Sequence, residues 1–335
     1  MKRLVGLDIG SYAIKILSLK VGRKNVKVKK FGYGKLSRES IVEGDIMDTN
    51  LIEKRIRNVY NEENVKNKNL SISVAGRNIM YKNIKINAVG KDDVKKTLEW
   101  ELPNHIPYEK DNIYTDYEVL SEEGGQTELL IIAAKKDVVN TRINLLKGLG
   151  LMPVVVDTAA TSVQNAYETL VGPIEDTAFI VDIGAEKTSM SIVADGVPRF
   201  IRELPHGGNA YTNEIAKNLG LNYESAEETK MENNKNNVEI HQYFDSINQN
   251  IASEIQKSMR YVKADSPIVV NKGIITGGAS LTPGLLDYLR SNLDISNIEL
   301  FNPVEYLNIP DEYQSEMEEL GPSLSVVTGL ALRKG

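Results

Sequence analysis

The chain has 335 residues, a length that suits two domains, and it carries 40 Lys and Arg against 46 Asp and Glu. The net charge of −6 excludes nucleic acid as the main partner, because phosphate neutralisation needs an excess of basic residues. The absence of cysteine excludes disulfides, thiolate metal sites and thiol nucleophiles. No apolar run reaches the roughly 18 residues of a membrane-spanning helix, and Asp8 interrupts the N-terminal run too early for a signal peptide.

The first predicted elements form a strand–turn–strand unit. Two apolar strands flank a turn that runs from Asp8 to Ser11. A third strand, a helix with one apolar face and a short buried strand follow. These five elements are predicted at residues 3–9, 13–20, 25–36, 51–60 and 70–75.

The stretch from about 79 to 155 is predicted to form a compact α+β unit. Asp92 suits the N-terminus of a helix that carries Val94, Leu98 and Leu102 on one face. Pro103 and Pro107 are expected to break that helix. Strands are predicted at 79–87, 114–120, 128–134 and 151–157, and a second helical face at 139–146.

A second half begins near residue 172 and opens with three more strands. A polar tract rich in Asn, Lys and Glu is predicted as a helix plus a surface loop, and a long amphipathic helix follows it. A short strand then runs into Gly277–Gly278, with a helix starting near Pro283. The strands are predicted at 178–183, 188–194, 197–204 and 273–276, the polar tract at 222–237 and the long helix at 244–262.

A sequence repeat relates the two halves. VGLDIGS at 5–11 and IVDIGAE at 180–186 each place Asp-Ile-Gly at the end of an apolar strand that a return strand follows. One such motif alone is most often a plain hairpin turn. Two in matching contexts indicate a duplicated α/β domain with a cleft between its halves.

The glycines of the two motifs favour phosphate binding. Gly10 and Gly184 let the backbone approach an anion, because they have no Cβ, and successive N–H groups in such turns form a concave donor site. Ser11 adds a hydroxyl, and Lys15 adds a charge if it faces the cleft. We therefore predict a nucleotide-phosphate site built from both turns.

The two aspartates of the motifs predict a magnesium site. Asp8 and Asp182 would face each other across the cleft, and carboxylates beside a triphosphate commonly hold Mg²⁺ through its retained waters. His105, His206 and His241 are scattered along the chain, which argues against a histidine metal site.

Two further patterns suit a nucleoside. Gly277–Gly278, with Ser280 close behind, lies at a strand-to-helix turn where a flat ring can rest against the backbone, although a simple connecting loop explains the pattern equally well. Glu227 and Lys230 share a helical face, and taken alone they are more often a surface ion pair.

The order of these motifs resembles that of the actin/Hsp70 superfamily of ATPases along the whole chain. The inserted unit narrows the likeness, since FtsA and PilM carry a subdomain called 1C at this place. The runs LVGLDIGSYAIKILSLK, TLEWELPNHIPYEKDNIYTDYEVL and LGLMPVVVDTAATSVQNAY resemble the PilM family of type IV pilus proteins. The motifs are Asp8–Lys15, a connector at 154–167, Asp182–Thr188, Gly207–Gly208, Ala226–Lys230, a turn at 277–285 and a closing helix at 325–333.

The resemblance implies an α/β, actin-like duplicated fold that binds ATP and Mg²⁺, with Glu227 and Lys230 contacting the nucleoside. It implies a first half (1A) at 1–78, 155–171 and 323–335, an inserted 1C-type subdomain at 79–154 and a second half (2A/2B) at 172–322. It also implies a cytoplasmic protein held at the inner membrane by the N-terminal tail of a PilN-like protein, with other platform proteins and self-association as further contacts. A nucleotide-binding set follows from it: Gly10, Ser11, Lys15, Gly184, Ala185, Glu186, Lys187, Thr188, Gly207, Gly208, Glu227, Lys230, Gly277, Gly278 and Ser280.

The chain departs from the superfamily pattern after the second aspartate. Ala185, Glu186 and Lys187 stand where related proteins often have Gly-Gly-Thr, and a glutamate beside the γ-phosphate would repel it. Asp157 lies in the connector, where related ATPases often orient water, but it is equally placed to cap the following helix. We therefore expect at most a slow ATPase. The alternatives are an FtsA-like division protein, which usually ends in an amphipathic membrane helix, and a sugar-kinase-type phosphotransferase, which needs an acidic base not seen in the first half.

Overall fold

The computed structural model describes residues 4–23, 25–76, 79–233, 238–265 and 269–335. The strands are β1 Val5–Ile9, β2 Ala13–Val21, β3 Val26–Lys35, β4 Ile41–Val42, β5 Asp45–Ile46, β6 Asn69–Val74, β7 Ile79–Ile86, β8 Ile113–Glu123, β9 Gln126–Lys135, β10 Met152–Thr158, β11 Ala178–Ile183, β12 Thr188–Ala194, β13 Val197–Leu204, β14 Lys272–Thr276, β15 Asn297–Leu300 and β16 Leu307–Asn308. The helices are α1 Thr49–Glu62, α2 Lys91–His105, α3 Lys136–Gly148, α4 Ala159–Leu170, α5 Gly208–Leu219, α6 Tyr223–Asn233, α7 Asp245–Asp265, α8 Leu285–Asn292, α9 Asp311–Leu320 and α10 Ser325–Leu332.

Two large sheets share one topology, which confirms the duplication. The six-stranded sheet has the order β10-β6-β1-β2-β3-β16, and the five-stranded sheet has the order β15-β14-β11-β12-β13. In each sheet an antiparallel meander of three strands continues into two parallel strands. The central strands β1, β6, β11 and β14 are buried on both faces, as expected where helices cover a sheet on both sides.

The inserted unit is a separate three-stranded antiparallel sheet of order β7-β9-β8. Helix α2 packs Val94, Leu98 and Leu102 against it, as predicted. Pro103 does not break α2 as expected, since the helix continues to His105, but the helix does end before Pro107. Pro103 has no N–H to bond the Glu99 carbonyl, and the last turn is closed beyond it by the Ile106 amide, which donates to the Leu102 carbonyl at 3.0 Å.

The chain returns from the inserted unit to the first sheet at Met152, which pairs with Asn69 at the start of β6. Helices α4 and α10 then pack closely against each other and against β1. A Cβ on Gly329 of α10 would lie 1.8 Å from the Ser162 carbonyl oxygen of α4, and one on Gly6 would lie 2.6 Å from the Val327 carbonyl oxygen. These close approaches join the connector and the closing helix at the centre of the molecule.

Two predicted elements differ in detail. The polar tract forms α6 as far as residue 233, whereas the expected surface loop at 234–237 lies outside the described residues. The turn at Gly277–Gly278 does not lead directly into a helix, because a single 3₁₀ turn, Gly278–Leu281, intervenes and α8 begins only at Leu285. None of the helices within the described ranges is both long and apolar enough to cross a membrane.

Candidate functional site

A cleft of about 1270 Å³ lies between the ends of the two large sheets. Its walls come from the β1–β2 turn, the β11–β12 turn, the N-terminus of α5, helix α6 and the turn after β14. Most of the predicted site residues meet here. Those that line the cleft are Asp8, Gly10, Ser11, Lys15, Asp182, Gly184, Ala185, Glu186, Lys187, Gly208, Glu227, Lys230, Gly277 and Gly278.

The two Asp-Ile-Gly turns have the same backbone geometry. The Gly10 amide donates to the Ala13 carbonyl at 3.1 Å, and the Gly184 amide donates to the Lys187 carbonyl at 2.9 Å. Each turn therefore closes with a hydrogen bond three residues along and faces the cleft from its own sheet. The sequence repeat thus corresponds to a pair of matched backbone turns.

On the first sheet, Lys15 faces the cleft beside Asp8, its cross-strand neighbour. The Lys15 ammonium lies 3.2 Å from Asp8 Oδ2, and the Ser73 hydroxyl donates to Asp8 Oδ1 at 3.4 Å. The lysine side chain is mostly buried. Asp8 is therefore held in place by two side chains, and Lys15 presents a positive charge at the first turn.

On the second sheet, Asp182 lies in the cleft close enough to Asp8 for the two charges to interact. The pKa of the Asp182 carboxyl is raised from 3.8 to about 6, mainly by burial and next by the negative charge of Asp8, while Lys15 opposes the shift. A divalent cation between the two would relieve this repulsion. Within the described part of the chain no group of three or more acidic or histidine side chains converges, so such a cation would rely on water or phosphate for its other ligands.

Glu227 and Lys230 form a buried cluster rather than a surface pair. Lys230 Nζ lies 2.7 Å from Glu227 Oε2 and 2.7 Å from the Thr212 hydroxyl, and it donates to the Gly208 carbonyl at 3.2 Å. Thr212 also donates to Glu227. Burial lowers the pKa of the Lys230 ammonium, and the charge of Glu227 opposes that shift. The cluster thus fixes α6 to the N-terminus of α5 at the cleft wall.

Glycines keep the cleft wall open where the backbone comes close. Gly277 has φ of 91°, and a Cβ there would lie 2.3 Å from Asp182 Oδ1. A Cβ on Gly208 would lie 3.1 Å from the Ala279 side chain and 3.6 Å from Lys230 Nζ. The wall is therefore shaped for close approach of a ligand to main-chain atoms.

Three members of the predicted binding set lie just behind the lining. The buried Thr188 hydroxyl donates to the His206 carbonyl at 2.6 Å, and the buried Ser280 hydroxyl donates to the Gly277 carbonyl at 2.6 Å. Gly207 packs beneath the second turn, where a Cβ would lie 2.6 Å from the Gly184 carbonyl oxygen. Their contacts support the turns instead of facing the cleft.

The structure does not bring Asp157 into the cleft lining. Its carboxylate lies 2.6 Å from Arg333 Nε and accepts the hydroxyls of Thr161 at 2.5 Å and Ser162 at 3.1 Å. Thr158 is the residue that caps α4, through its contact with the Thr161 amide. Asp157 therefore orders the first turn of α4 and ties it to the C-terminal segment. Its contacts match a structural role at the start of the helix, although the cap itself is Thr158.

Glu186 and Lys187 reach across the cleft to the opposite half. The Glu43 amide donates to Glu186 Oε1 at 2.8 Å, and Lys187 Nζ donates to the Glu43 carbonyl at 2.8 Å. Glu203 adds a third contact, since it accepts the Gly76 amide at 2.9 Å. One oxygen of the Glu186 carboxylate is thus engaged by the β4–β5 hairpin, while the residue also lines the cleft.

Sequence reasoning missed several side chains of the cleft. Tyr33 lies directly opposite Lys15 in the sheet, so the hairpin register contained a signal that would have placed it there. Met231 follows Lys230 on α6 and lines the same wall. Glu316 and Glu319 come from α9, for which the sequence analysis made no prediction.

A second cavity, which we call the seam pocket, lies between the β4–β5 hairpin and the inserted unit. Its volume is about 530 Å³, and Arg142 lines both this pocket and the central cleft. The buried guanidinium donates to the Gly44 carbonyl at 2.5 Å and to the Val138 carbonyl at 3.3 Å, while its Nε has no hydrogen-bond partner among the described residues. Burial lowers the pKa of Arg142, and the charges of Asp45 and Asp8 oppose the shift. The remaining lining residues are Asp45, Ile46, Tyr108, Lys135, Asp137, Val138 and Thr141.

Comparison with solved structures shows the fold. A PilM–PilN type IV pilus biogenesis complex contains a chain that matches with a TM-score of 0.87 and 22% identity, over 99% of this chain and 98% of that one. The ethanolamine utilization protein EutJ from Carboxydothermus hydrogenoformans matches with a TM-score of 0.59 and 13% identity, over 99% and 90% of the two chains. MreB5 of Spiroplasma citri bound to ADP matches with a TM-score of 0.52 and 12% identity, over 98% and 95%. These likenesses place the chain in the actin-like fold class that the sequence predicted.

Sequence comparison identifies the family. The cell division protein FtsA of Helicobacter pylori is 25% identical over an alignment of 182 residues, and the match covers 46% of this chain and only about a third, 36%, of that relative's own length. The family model for the type IV pilus assembly protein PilM matches residues 6–335, which is nearly the whole chain. Since that match covers both large sheets and the inserted unit, the chain belongs to the PilM family of type IV pilus assembly proteins.

Proposed function

We propose that the chain is a nucleotide-gated binding platform at the cytoplasmic face of the inner membrane. It binds ATP with Mg²⁺ in the central cleft and the cytoplasmic N-terminal tail of a PilN-like membrane protein in the seam pocket. The observation that carries this proposal is the pair of matched turns at Gly10 and Gly184, which face one cleft whose wall continues through Arg142 into a second pocket.

The residues of the cleft fit a nucleotide. In this proposal the two turns surround the phosphates, Lys15 adds a positive charge, and Asp8 and Asp182 hold Mg²⁺ through water. Bound Mg²⁺ neutralises charge on the phosphates and the carboxylates. The Glu227–Lys230 cluster faces the nucleoside, and the open backbone at Gly277–Gly278 leaves space for the flat base.

We infer slow hydrolysis. Asp157, which the superfamily resemblance would use to orient water, is held by Arg333 outside the cleft lining. Glu186 is turned toward the Glu43 amide. The chain therefore suits a binding switch better than a rapid catalyst, and turnover on the order of the 10 per second typical of metabolic enzymes would contradict this inference.

The seam pocket suits an extended peptide. Its wall combines charged groups of both signs with Tyr108 and Ile46. A short tail that docks in such a pocket gains affinity from main-chain hydrogen bonds and selectivity from its side chains. The overall likeness to the PilM chain of a PilM–PilN complex supports a tail of this class as the occupant.

The contacts of the β4–β5 hairpin support a link between the two ligands. Glu186 and Lys187 hold the hairpin from the second half at Glu43, whereas Arg142 holds it from the inserted unit at Gly44. A nucleotide that fixes the second half against the first therefore also fixes the hairpin wall of the seam pocket. The tail then binds a pre-ordered surface and loses less free energy to ordering.

Thermal unfolding and calorimetric titration test this function. Mg²⁺-ATP at about 100 times its Kd is expected to stabilise the chain by about 2.7 kcal/mol, and Gly208→Val should abolish that effect by filling the space between Ala279 and Lys230. Gly148→Ala, whose added Cβ meets open space, serves as the control. A synthetic PilN-like tail peptide should bind the wild-type chain more tightly with Mg²⁺-ATP. If ATP does not stabilise the wild type, the proposed nucleotide site is refuted. If the tail binds equally tightly with and without ATP, the proposed link between the two ligands is refuted.

A further inference from the structure

Basic residues are concentrated in one early segment of an otherwise acidic chain. Residues 9–38 contain nine of the 40 Lys and Arg residues and none of the 46 Asp and Glu residues. The other 305 residues therefore carry 31 basic side chains against 46 acidic ones. Lys15 of this segment lines the central cleft, whereas the turn that connects β2 and β3 lies at the end of β2 away from Gly10.

Half of the described basic side chains in this segment have a partner within the molecule. Lys15 pairs with Asp8, Lys30 donates to the Tyr313 hydroxyl, and Lys35 and Arg38 lie over aromatic rings. For the other four, the described part of the chain provides no hydrogen bond, ion pair or ring contact. These four exposed residues, Lys20, Arg23, Lys27 and Lys29, form what we call the basic hairpin face.

The basic hairpin face is held in an arrangement that costs free energy. Lys20 and Lys27 are directly opposite each other on neighbouring strands, and like charges in this position destabilise a sheet. Leu19, Val26 and Val28 point to the other face, where they pack with α9 and α10. The strand alternation therefore fixes the lysines outward on the opposite face, beyond the end of α1. An anionic surface would remove the repulsion between them.

We propose that the basic hairpin face docks on the anionic headgroups of a phospholipid membrane. Anionic headgroups complement the charge of these four basic side chains, and Lys20 and Lys27 share one exposed sheet face. A nucleic acid fits less well, because a long polyanion would also run past the acidic remainder of the chain. Juxtaposed lysines and arginines are the ordinary means of binding acidic lipids.

The position of the face agrees with the tail site. Asp45 and Ile46, which line the seam pocket, precede α1, and the basic hairpin face lies past its C-terminal end on the same side of the sheet. The 14 residues of α1 span about 21 Å. A membrane that anchors the tail can therefore touch the hairpin at the same time. The inference rests on the proposed function only for bringing the chain to a membrane.

Vesicle flotation of the full chain without any partner tests the proposal. Wild type should bind phosphatidylcholine vesicles that contain phosphatidylglycerol, should not bind vesicles of phosphatidylcholine alone, and should be released at high salt. The triple variant Lys20→Gln/Lys27→Gln/Lys29→Gln should bind about 100-fold more weakly, at about fivefold for each lysine. The control Lys95→Gln/Lys96→Gln/Lys147→Gln removes the same charge from exposed positions on α2 and α3 and should bind like wild type.

Three outcomes would overturn the proposal. They are no preference of the wild type for anionic vesicles, an equal loss in both triple variants, and an oligonucleotide that binds through the same lysines while vesicles do not. Circular dichroism of both variants shows that they fold. Tail-peptide titration in solution separates the two proposals, because it contains no lipid. If the wild-type chain binds vesicles but not the tail peptide, only the proposed function is refuted. If it binds the tail peptide but not vesicles, only the lipid site is refuted.

Discussion

At the scale of single residues, Asp182 gives a pH-dependent prediction. Its carboxyl has a pKa of about 6 in the folded chain, against an ordinary value of 3.8 in the unfolded chain, so between these values the folded chain binds the proton more tightly. The unfolding free energy of the ligand-free protein therefore falls as pH rises from about 4 to 6 and stays low above. Asp182→Asn should raise the free energy of unfolding near pH 7 by up to about 3 kcal/mol, because each unit of the pKa shift corresponds to about 1.4 kcal/mol.

Chemical denaturation at several pH values measures this effect, with exposed Asp195→Asn in the β12–β13 turn as the control. The advantage of Asp182→Asn should vanish near pH 4, and the variant should no longer gain stability from Mg²⁺ with ATP. An Asp182→Asn protein that is less stable than wild type near pH 7 would show that the carboxylate makes favourable contacts in the ligand-free cleft. The repulsion between Asp8 and Asp182 would then no longer support the assignment of the two carboxylates to a Mg²⁺ site.

Single residues also show where sequence reasoning stops. Lys15 and Tyr33 lie opposite each other in the β2–β3 hairpin. Because the register of a hairpin can be inferred from its sequence pattern, their shared face was predictable. The partner of Glu186 is a backbone amide 143 positions earlier in the chain, and no local pattern encodes such a contact. Asp157 could be read as a catalytic group or as a helix-start residue until the Arg333 contact was known.

At the scale of elements, the pair α4–α10 gives a packing prediction. A Cβ on Gly329 would lie 1.8 Å from the Ser162 carbonyl oxygen, so Gly329→Ala forces the two helices apart. The loss should be on the order of 3 kcal/mol, well above the gain of about 1 kcal/mol that alanine brings to a helix interior. Gly148→Ala at the end of α3 meets open space and should be neutral or slightly stabilising. Denaturant unfolding within about 1 kcal/mol of wild type for Gly329→Ala would contradict the packing.

The elements were more predictable than their ends. The apolar periods of β1, β2 and α2 were sufficient to locate them, because those periods reflect which face is buried. The end of α2 was misjudged at Pro103, because the Ile106 amide closes one more turn onto the Leu102 carbonyl and the helix ends only before Pro107. The short 3₁₀ turn before α8 was missed for a related reason, since three or four residues are too few to show a period.

At the scale of the whole molecule, the duplication was predictable and the coupling between cavities was not. Two Asp-Ile-Gly motifs implied two related sheets, and the identical strand order bears this out. Arg142, by contrast, lies on α3 among apolar residues of its buried face, and nothing in its spacing separates it from a core position. Only the tertiary structure shows that it lines both the seam pocket and the central cleft.

Arg142 therefore carries the last prediction, which concerns communication between the two cavities. Arg142→Met keeps the length of the buried side chain but removes the donor to the Gly44 carbonyl. By linkage, ATP must change tail affinity by the same factor as the tail changes ATP affinity, and this factor is typically about 5- to 150-fold. We expect the variant to reduce it to less than about threefold, because the hairpin held by Glu186 and Lys187 loses its hydrogen bond to Arg142 of the inserted unit.

Calorimetric titration of each ligand in the absence and presence of the other measures the factor. It is a ratio, so a uniform loss of affinity for either ligand in the variant cancels, and the result reports coupling alone. Lys147→Met on the exposed face of α3 removes a charge from the same helix and should keep the wild-type factor. A folded Arg142→Met protein with the wild-type factor would show that closure of the cleft reaches the seam pocket through another route, such as the contact between Glu203 and the Gly76 amide that follows β6.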